Sequence, residues 1–148
     1  MIYFYNITDE YGCFSNFSRH GFELKGQYWP TSEHYFQAQK FAGTPYEEAI
    51  RKAPSPREAA EMGRDIKKPL RKDWEQVKDE IMLCALRKKF ETHKDIRDIL
   101  LSTGEEELIE NTTYDYYWGC GTEGHGKNML GRLLMQVRKE FQSDKREE

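Results

Sequence analysis

The feature that most constrains this chain is a pair of helix-start signals that follow one another closely. Thr44–Glu47 (Thr-Pro-Tyr-Glu) and Ser55–Glu58 (Ser-Pro-Arg-Glu) each place a hydroxyl side chain before proline and then glutamate. This pattern is a capping box with proline at the first helical position. Each signal predicts a short helix, and the second helix should end at Gly63. A chain that starts helices at such short intervals is expected to be mainly helical.

Four further segments have apolar residues at helical spacing. The first can be capped by Thr31 or Ser32 and should stop before Gly43. The apolar residues of each segment should form its buried face. With approximate ends, the four predicted helices span Ser32–Phe41, Trp74–Phe90, Asp95–Leu101 and Asn128–Phe141.

Signals for β-strands are confined to a few short segments. Ile2–Tyr5 is apolar and aromatic, and residues 22–24 and 27–29 alternate around Lys25-Gly26 as a hairpin would. A further short strand is expected at Leu108-Ile109. The predicted fold class is therefore α+β, mainly α with a small antiparallel β-sheet.

Length and composition predict one folded domain. The chain has 148 residues with no internal repeat or linker, which favours a compact single domain over residues 1–142 and a solvated tail over 143–148. The mean hydropathy of −0.93 is strongly hydrophilic. Aromatic residues nevertheless make up 14% of the chain, and disordered chains are poor in aromatics. We therefore expect a folded domain with an aromatic-rich core or cleft.

The charge balance and the cysteine pattern limit the partners. A net charge of −3 argues against strong bulk attraction to nucleic acid or to an anionic membrane. No apolar run approaches the ~18 residues of a membrane span, and the first residues lack the basic region of a signal peptide. Three widely spaced cysteines are typical of the reducing cytoplasm, and the histidines lack metal-ligand spacing. We expect a cytoplasmic protein with no metal, cofactor, membrane contact or obligate protein partner.

The segment Trp29–Phe41 carries the densest set of polar candidates. Glu33, Gln37 and Lys40 are spaced so that they share one face of a helix. Such a face is often solvated surface. Two features favour a functional interpretation instead: the aromatic residues of the segment indicate a well-packed helix, and Glu33 lies in the first turn, where the helix dipole favours its ionised form. The residues alone leave both interpretations open.

A glycine-rich loop precedes the last predicted helix. Gly119, Gly121 and Gly124 match the dinucleotide-binding pattern, but the βαβ context is absent. Residues 121–128 approach a P-loop, but Asn128 stands where a serine or threonine should bind magnesium. Two interpretations remain: a loop whose free backbone N–H groups hold a phosphate or carboxylate at a helix start, or a merely flexible loop. The aromatic residues beside it could stack on a base or simply pack.

Basic residues outnumber acidic residues between Arg64 and Arg97. The excess begins with a cluster before Trp74 that includes Arg64 and Arg71. Such a cluster could face a phosphate, with Arg64 or Arg71 as the phosphate ligand, or it could be a solvated surface.

Five segments match motifs of a known family: Phe14–Phe17, Trp29–Phe41, Ser55–Arg64, Leu70–Trp74 and Trp118–Gly131. Through them the chain resembles the NADAR superfamily from about Tyr3 to Phe141, and within it the YbiA-like N-glycosidases. The resemblance implies a mainly helical single domain that hydrolyses N-glycosidic bonds at C1 of a ribose.

The resemblance also implies a substrate class. YbiA-like members act on ribosylamino-pyrimidine 5′-phosphates, which are early riboflavin-pathway intermediates, and release ribose 5-phosphate. Other members remove ADP-ribose from modified guanine bases, and nucleic acid would be a partner only in that case. Three alternatives therefore stand beside the first activity: an ADP-ribosyl-guanine glycohydrolase, a non-catalytic module that binds NAD or ADP-ribose, and a protein–protein interaction domain.

By motif position, the resemblance assigns catalytic roles to Glu33, Lys40 and Asp115. The expected substrate-binding residues are Ser15, Asn16, Arg64, Arg71, Trp74, Trp118, Gly119 and Asn128. A carboxylate can stabilise or attack the oxocarbenium-like state of glycoside cleavage. A lysine beside it either positions the sugar or captures the opened C1 aldehyde as a Schiff base, and both roles stay open at this point.

Overall fold

The structure is a computed structural model that describes residues 1–147. Over these residues the chain forms six α-helices and four short β-strands, which confirms the predicted fold class. The elements in chain order are β1 (Ile2–Phe4), β2 (Phe22–Leu24), β3 (Gln27–Trp29), α1 (Ser32–Gln39), α2 (Pro45–Arg51), α3 (Pro56–Gly63), α4 (Trp74–Thr92), α5 (Lys94–Ser102), β4 (Leu108–Glu110) and α6 (Met129–Glu147). A 3₁₀ turn spans Gly12–Phe14.

Contacts group the chain into two compact units. The central unit is Asn16–Thr92, and the terminal unit joins Met1–Ser15 to the chain from His93 onward. The central unit therefore holds the hairpin and α1 to α4, while the terminal unit holds β1, β4, α5 and α6. One domain over residues 1–142 stays a prediction.

The central unit begins with the predicted hairpin. Strands β2 and β3 pair antiparallel, with Phe22 opposite Trp29. Lys25 and Gly26 both have positive φ, 57° and 74°, which is the backbone that a type I′ turn needs. The buried faces of the two strands add Phe22 and Trp29 to the core of this unit.

Helix α1 is the centre of that core, and α2, α3 and α4 pack around it. The two capping signals are confirmed: Tyr46 N–H donates to Thr44 Oγ1 at 3.2 Å, and Glu58 N–H donates to Ser55 Oγ at 3.1 Å. The core combines aromatic and small side chains, namely Phe22, Trp29, Tyr35, Ala38, Phe41, Ile50, Ala53, Ala59 and Ala85. The small residues let the helices approach α1 closely.

The terminal unit is built on a parallel strand pair. Strand β1 runs alongside β4, with Ile2 opposite Leu108, which is a parallel pair in addition to the predicted antiparallel hairpin. The two strands are far apart in sequence, and only such distant strands can pair in parallel. Helix α6 packs against β4 and α5. Its inward residues Leu130, Leu134 and Val137 are buried as predicted.

Two helices extend beyond their predicted ends. Helix α4 continues to Thr92, and α6 continues to Glu147 instead of ending near Phe141. The segment from Ser143 is therefore helical as far as Glu147, and Ser143 and Asp144 are exposed. The last residue of the expected tail lies outside the described residues. None of the helices described is long and apolar enough to cross a membrane.

Candidate active site

The face of α1 that carries Glu33, Gln37 and Lys40 is covered. All eight residues of the helix are buried, Glu33 with 8% and Gln37 with 4% of their surface exposed. Lys40, which follows the helix directly, is half-buried. The interpretation of this face as solvated surface is therefore wrong. A carboxylate, an amide and an amine on one buried helix face need specific partners, because burying a polar group without one is costly.

The side chain of His34 has a structural role in this helix. Backbone N–H of His34 donates to Thr31 Oγ1 at 3.1 Å, which caps the helix. The Thr31 hydroxyl lies 2.8 Å from His34 Nδ1, and Nε2 lies 3.0 Å from the Ala53 carbonyl oxygen. Burial lowers the pKa of His34. The imidazole is therefore neutral, with Nε2–H donating to Ala53 and Nδ1 accepting from Thr31.

Both ends of α1 are anchored by further polar contacts. Ser32 Oγ donates to Asn16 Oδ1 at 2.7 Å. At the other end, Lys25 Nζ donates to Gln39 Oε1 at 2.8 Å, and Gln39 Nε2 donates to Glu47 Oε2 at 2.9 Å. These contacts fix the helix at both ends. Asn16, an expected substrate-binding residue, is thus part of the support of α1.

The carboxylate of Glu33 is held by its own helix. Gln37 Nε2, one turn further on, donates to Glu33 Oε1 at 2.7 Å. The Glu33 backbone N–H donates to the Asn16 carbonyl oxygen at 3.2 Å. A buried carboxylate with a fixed amide donor is restricted in orientation, as a group that acts on a reacting carbon must be.

Lysine 40 lies in an aromatic environment. Its Nζ is 5.9 Å from the centre of the Phe36 ring and 5.8 Å from that of Trp74, and it donates to the Gly63 carbonyl oxygen at 3.2 Å. Burial lowers the pKa of Lys40, the charge of Glu33 opposes this, and Arg64 adds to it. The amine is therefore easier to deprotonate than an exposed lysine, which is what a nucleophilic amine requires.

The two candidate phosphate ligands differ in what they already bind. Arg71 Nε and Nη2 donate to the two carboxylate oxygens of Asp73 at 2.6 and 3.1 Å, and Nη1 donates to the Gln39 carbonyl oxygen at 3.3 Å. Arg71 thus ties the loop before α4 to the end of α1. Arg64 is exposed and its guanidinium has no hydrogen-bond or ion-pair partner among the described residues, yet its charge acts on Lys40. Arg64 is the better placed of the two to receive an anion.

Trp74, the first residue of α4, lies at the edge of this group. Its ring centre is 5.0 Å from that of Phe36, with the two planes tilted by 58°. Because the residue is buried, the ring covers Lys40 and Phe36 and offers little open face for stacking on a base.

Asp115, in the terminal unit, organises the turn before the glycine-rich loop. Its Oδ1 accepts from the backbone N–H groups of Tyr117 at 3.0 Å and Trp118 at 2.8 Å. Oδ2 has no hydrogen-bond partner in the part of the chain that the structure describes. One oxygen therefore has a structural role, and the other remains able to contact a ligand.

The glycine-rich loop engages several of the N–H groups at the start of α6. Four successive amides donate to loop carbonyl oxygens: Lys127 to Tyr116 at 2.8 Å, Asn128 to Gly119 at 3.0 Å, Met129 to Tyr117 at 2.9 Å and Leu130 to Trp118 at 3.1 Å. Phosphate binding at this helix start stays a prediction, with fewer free N–H groups to support it than an open helix start would offer. The four bonds close the loop onto the helix.

Asn128 joins that loop to β4. It has a φ of 51°, a backbone that asparagine tolerates better than most residues. Glu110 N–H donates to Asn128 Oδ1 at 2.9 Å, and Asn128 Nδ2 donates to the Leu108 carbonyl oxygen at 2.8 Å. The side-chain amide thus has a structural role in the sheet, and its contact with substrate stays a prediction.

The other candidates of the terminal unit lie in or near turns. Ser15 is half-buried, and its N–H donates to the Gly12 carbonyl oxygen at 3.1 Å. A Cβ on Gly119 would lie 2.4 Å from Thr112 Oγ1, so only glycine fits there. The half-buried Trp118 ring lies edge-on to Tyr117, with 5.0 Å between the ring centres. Their substrate contacts stay predictions.

Two residues beside Lys40 were missed by the sequence reasoning. Phe36 precedes Lys40 by four residues, a spacing that brings side chains together on a helix, so this contact could have been found. Gly63 supplies only a backbone carbonyl to Lys40, and no sequence signal identifies such a donor–acceptor pair.

Comparison with known proteins places the chain in a family. The NADAR domain model matches residues 3–142. The chain is 52% identical over 145 residues to the N-glycosidase YbiA of Escherichia coli, covering 98% of this chain and 91% of that protein. It is 50% identical over 145 residues to an N-glycosidase of Nostoc punctiforme, covering 96% and 93%. A chloroplastic riboflavin biosynthesis protein, PYRR of Zea mays, is 44% identical over 156 residues, covering 95% of this chain and 25% of that protein.

The fold comparison agrees with the sequence comparison. The NMR structure of the Escherichia coli protein YbiA matches with a TM-score of 0.92 at 52% sequence identity, covering 99% of this chain and 88% of that chain. The family model, the full-length relatives and the fold comparison each match nearly the whole chain and agree with one another. The chain therefore belongs to the NADAR family.

Proposed function

We propose that this chain hydrolyses the N-glycosidic bond of ribosylamino-pyrimidine 5′-phosphates and releases ribose 5-phosphate. The enzyme class is that of its full-length relatives: it is an N-glycosidase, a hydrolase of N-glycosyl compounds. The substrate class is supported by the maize relative that is named a riboflavin biosynthesis protein. The observation that carries the proposal is the pair of buried Glu33 and half-buried Lys40, which lie about two turns apart on α1 and its C-cap and are electrostatically coupled.

Glu33 stabilises the positive charge that develops at C1 during the reaction. Ring opening and transfer of C1 to the lysine pass through iminium ions, which carry positive charge at C1 as the oxocarbenium-like state of direct glycoside cleavage does. A carboxylate held by Gln37 can stabilise that charge where it develops, without first having to reorient. Asp115, with Oδ2 not hydrogen-bonded among the described residues, is proposed as the second catalytic carboxylate.

Lys40 forms the covalent intermediate. The ring C1–O bond opens as a proton goes to the ring oxygen, which leaves an iminium between C1 and the pyrimidine amine. The neutral Lys40 amine adds to C1 and passes a proton to the pyrimidine nitrogen, whose bond to C1 then breaks. Water hydrolyses the resulting lysine iminium, which restores the amine and releases ribose 5-phosphate and a proton. The lowered pKa of Lys40 supports this route, because it increases the neutral fraction of the amine.

Arg64 is proposed to bind the 5′-phosphate, because its guanidinium has no partner among the described residues and acts electrostatically on Lys40. Two planar N–H donors match a phosphate well. The substrate contacts of the remaining candidates stay proposals: Ser15, Asn16, Arg71, Trp74, Trp118, Gly119 and Asn128. Residence in the cytoplasm also stays a prediction that rests on the cysteine pattern.

One assay tests the function. The purified protein is incubated separately with ribosylamino-pyrimidine 5′-phosphates, with ADP-ribosylated guanosine and with NAD, and the released sugars are quantified by mass spectrometry. We expect ribose 5-phosphate from the first substrate and a much lower kcat/KM for the others. Release of ADP-ribose from the modified guanosine alone would establish the alternative glycohydrolase. Saturable binding of NAD with no turnover of any substrate would establish a binding module.

A further inference from the structure

The amide of Gln37 is an exception among the buried polar groups of α1. Gln37 is 4% exposed, and its Nε2 donates to Glu33 Oε1 at 2.7 Å. Its Oε1 is fully buried and has no hydrogen-bond partner among the described residues. His34 and Gln39, on the same helix, have partners at both polar atoms of their side chains. The amide of Gln37 is therefore oriented for Glu33 at the expense of its own oxygen.

An unsatisfied buried acceptor lowers stability. Native structures contain few such groups, and each calls for a specific reason. The opposite orientation of the amide would place its oxygen against a carboxylate oxygen of Glu33. The observed orientation therefore keeps a hydrogen-bond donor on the Glu33 carboxyl group.

Gly63, the last residue of α3, makes room for this arrangement. A Cβ at Gly63 would lie 2.0 Å from Gln37 Oε1, closer than any packing allows. The φ of Gly63 is outside the left-handed region, so the glycine is needed for space and not for backbone conformation. The same residue accepts a hydrogen bond from Lys40 Nζ through its carbonyl oxygen. The contact between α1 and α3 thus bears on both Glu33 and Lys40.

We infer that Gln37 is a positioning residue for Glu33, and that Gly63 is a glycine in order to accommodate the Gln37 amide. The inference rests on the proposed function only in that Glu33 is the reacting carboxylate. Gln37 Nε2 fixes one oxygen of that carboxylate and stabilises its ionised form, because hydrogen bonds to a charged group favour that charge. Lys40 is a charged group coupled to Glu33, and Arg64 acts on Lys40 in turn.

The first test replaces the donor. In Gln37→Met the side chain keeps its length and loses the N–H, so the pKa of Glu33 should rise, measured by NMR titration of the ¹³C-labelled glutamate carboxyl groups. The matched control is Gln39→Met, on the same helix and equally buried, which removes two hydrogen bonds and should leave the Glu33 titration unchanged. An unchanged Glu33 titration in Gln37→Met would overturn the inference.

The second test uses Gly63 and remains available if Gln37→Met folds poorly. Gly63→Ala should displace the amide, lower Tm and raise the pKa of Glu33. In the Gln37→Ala background the added methyl group meets no amide and only the Cβ of residue 37, which lies 2.8 Å from a Cβ at Gly63, so Gly63→Ala should lower Tm less than it does in the wild type. Equal losses of Tm in both backgrounds would refute the packing relationship.

Activity measurements separate this inference from the proposed function. If the wild-type enzyme turns over its substrate, Gln37→Met should lower kcat about tenfold to a hundredfold with little change in KM, since orientation of a reacting group acts on the chemical step. An active wild type with an unaffected Gln37→Met variant refutes the positioning role alone. An inactive wild type refutes the proposed function, and the carboxyl titration still decides the role of Gln37.

Discussion

The ammonium nitrogen of Lys40 lies 5.8 Å from the centre of the Trp74 ring. The ring face attracts a cation, but the same ring excludes water, and desolvation disfavours the charged amine. Burial is the largest influence on this group, so the pKa of Lys40 falls despite the nearby Glu33 carboxylate. The pair of Lys40 and Trp74 therefore brings the lysine nearer to its neutral, nucleophilic form.

This shift predicts a pH-dependent stability. The folded-state pKa of Lys40 is below its ordinary value of 10.5, so between these two values the unfolded chain binds more protons and the folded state gains stability as the pH rises. Below the folded-state pKa the cost of burying the charge is fully present. We expect Lys40→Met to have a higher Tm than the wild type at neutral pH, with a gain that shrinks as the pH approaches 10.5. A Tm difference that is constant across this range would contradict the assignment.

A covalent role of Lys40 predicts a trapped adduct. Borohydride added during turnover should reduce the lysine iminium and add the mass of the reduced sugar phosphate to the peptide that contains Lys40. Lys40→Arg keeps the charge but cannot form the imine, so its kcat should fall by about three orders of magnitude or more.

Lys68 provides a matched control for the trapping experiment. Its Nζ donates to the Met62 carbonyl oxygen at 3.0 Å and lies 5.9 and 5.3 Å from the ring centres of Phe41 and Tyr46. Lys68→Arg should therefore keep activity, and Lys68 should gain no adduct. An active Lys40→Arg enzyme without any trapped lysine would leave Lys40 an electrostatic role, with Glu33 acting on water.

Replacing Glu33 with glutamine should abolish hydrolysis while the fold remains. The change removes the charge and keeps the volume, and a residue in contact with the reacting centre contributes about two orders of magnitude or more. Glu47→Gln is a control of the same chemistry outside the site, where Glu47 accepts from Gln39. Steady-state kinetics and circular dichroism of both variants provide the measurement. A near wild-type kcat in Glu33→Gln would remove Glu33 from the mechanism.

Because the guanidinium of Arg64 has no partner among the described residues, we expect the loss of this group to weaken binding of the phosphorylated substrate in particular. Arg64→Gln should raise KM for the 5′-phosphorylated substrate about tenfold and leave the corresponding unphosphorylated nucleoside unaffected. The control is Arg57→Gln on α3, an exposed arginine paired with Glu61 at 3.4 Å. Because Arg64 lowers the pKa of Lys40, its removal should also raise that pKa. The rate should then begin to increase at a higher pH than in the wild type. Equal KM changes for both substrates would argue against phosphate binding.

The reaction should need no metal ion, because the histidines and cysteines of the sequence lack ligand spacing. We expect full activity after dialysis against EDTA, measured in chelated buffer. Loss of activity that returns on addition of a divalent cation would show that a metal takes part.

Local signals of the sequence were sufficient for the helix starts and the hairpin. The caps at Thr44 and Ser55 and the Lys25-Gly26 turn depend on neighbouring residues, so they could be predicted. The burial of Glu33 and Gln37 could not, because it comes from packing of α2, α3 and α4 around α1. Polar side chains at helical spacing look alike whether they face water or other helices.

The site was predicted unevenly for the same reason. The positions of Glu33 and Lys40 on one helix follow from spacing, but Arg71 and Arg64 look equivalent in sequence. Their difference arises because Arg71 finds Asp73 and the Gln39 carbonyl group in the folded chain. Several N–H groups that were expected to be free at the start of α6 likewise donate to loop carbonyl oxygens, a long-range contact that a regular sequence pattern does not show.

The amide of Asn128 has one more consequence. The amide bonds to the backbone of Leu108 and Glu110. The Cys120 N–H donates to the Glu110 carbonyl oxygen at 3.0 Å. Together these bonds cover the side of β4 that faces away from β1. An open strand edge is a template on which other chains can add. Here one side chain and one backbone amide stand in for a neighbouring strand, so this edge of the two-stranded sheet is closed against recruitment of a third strand from another molecule.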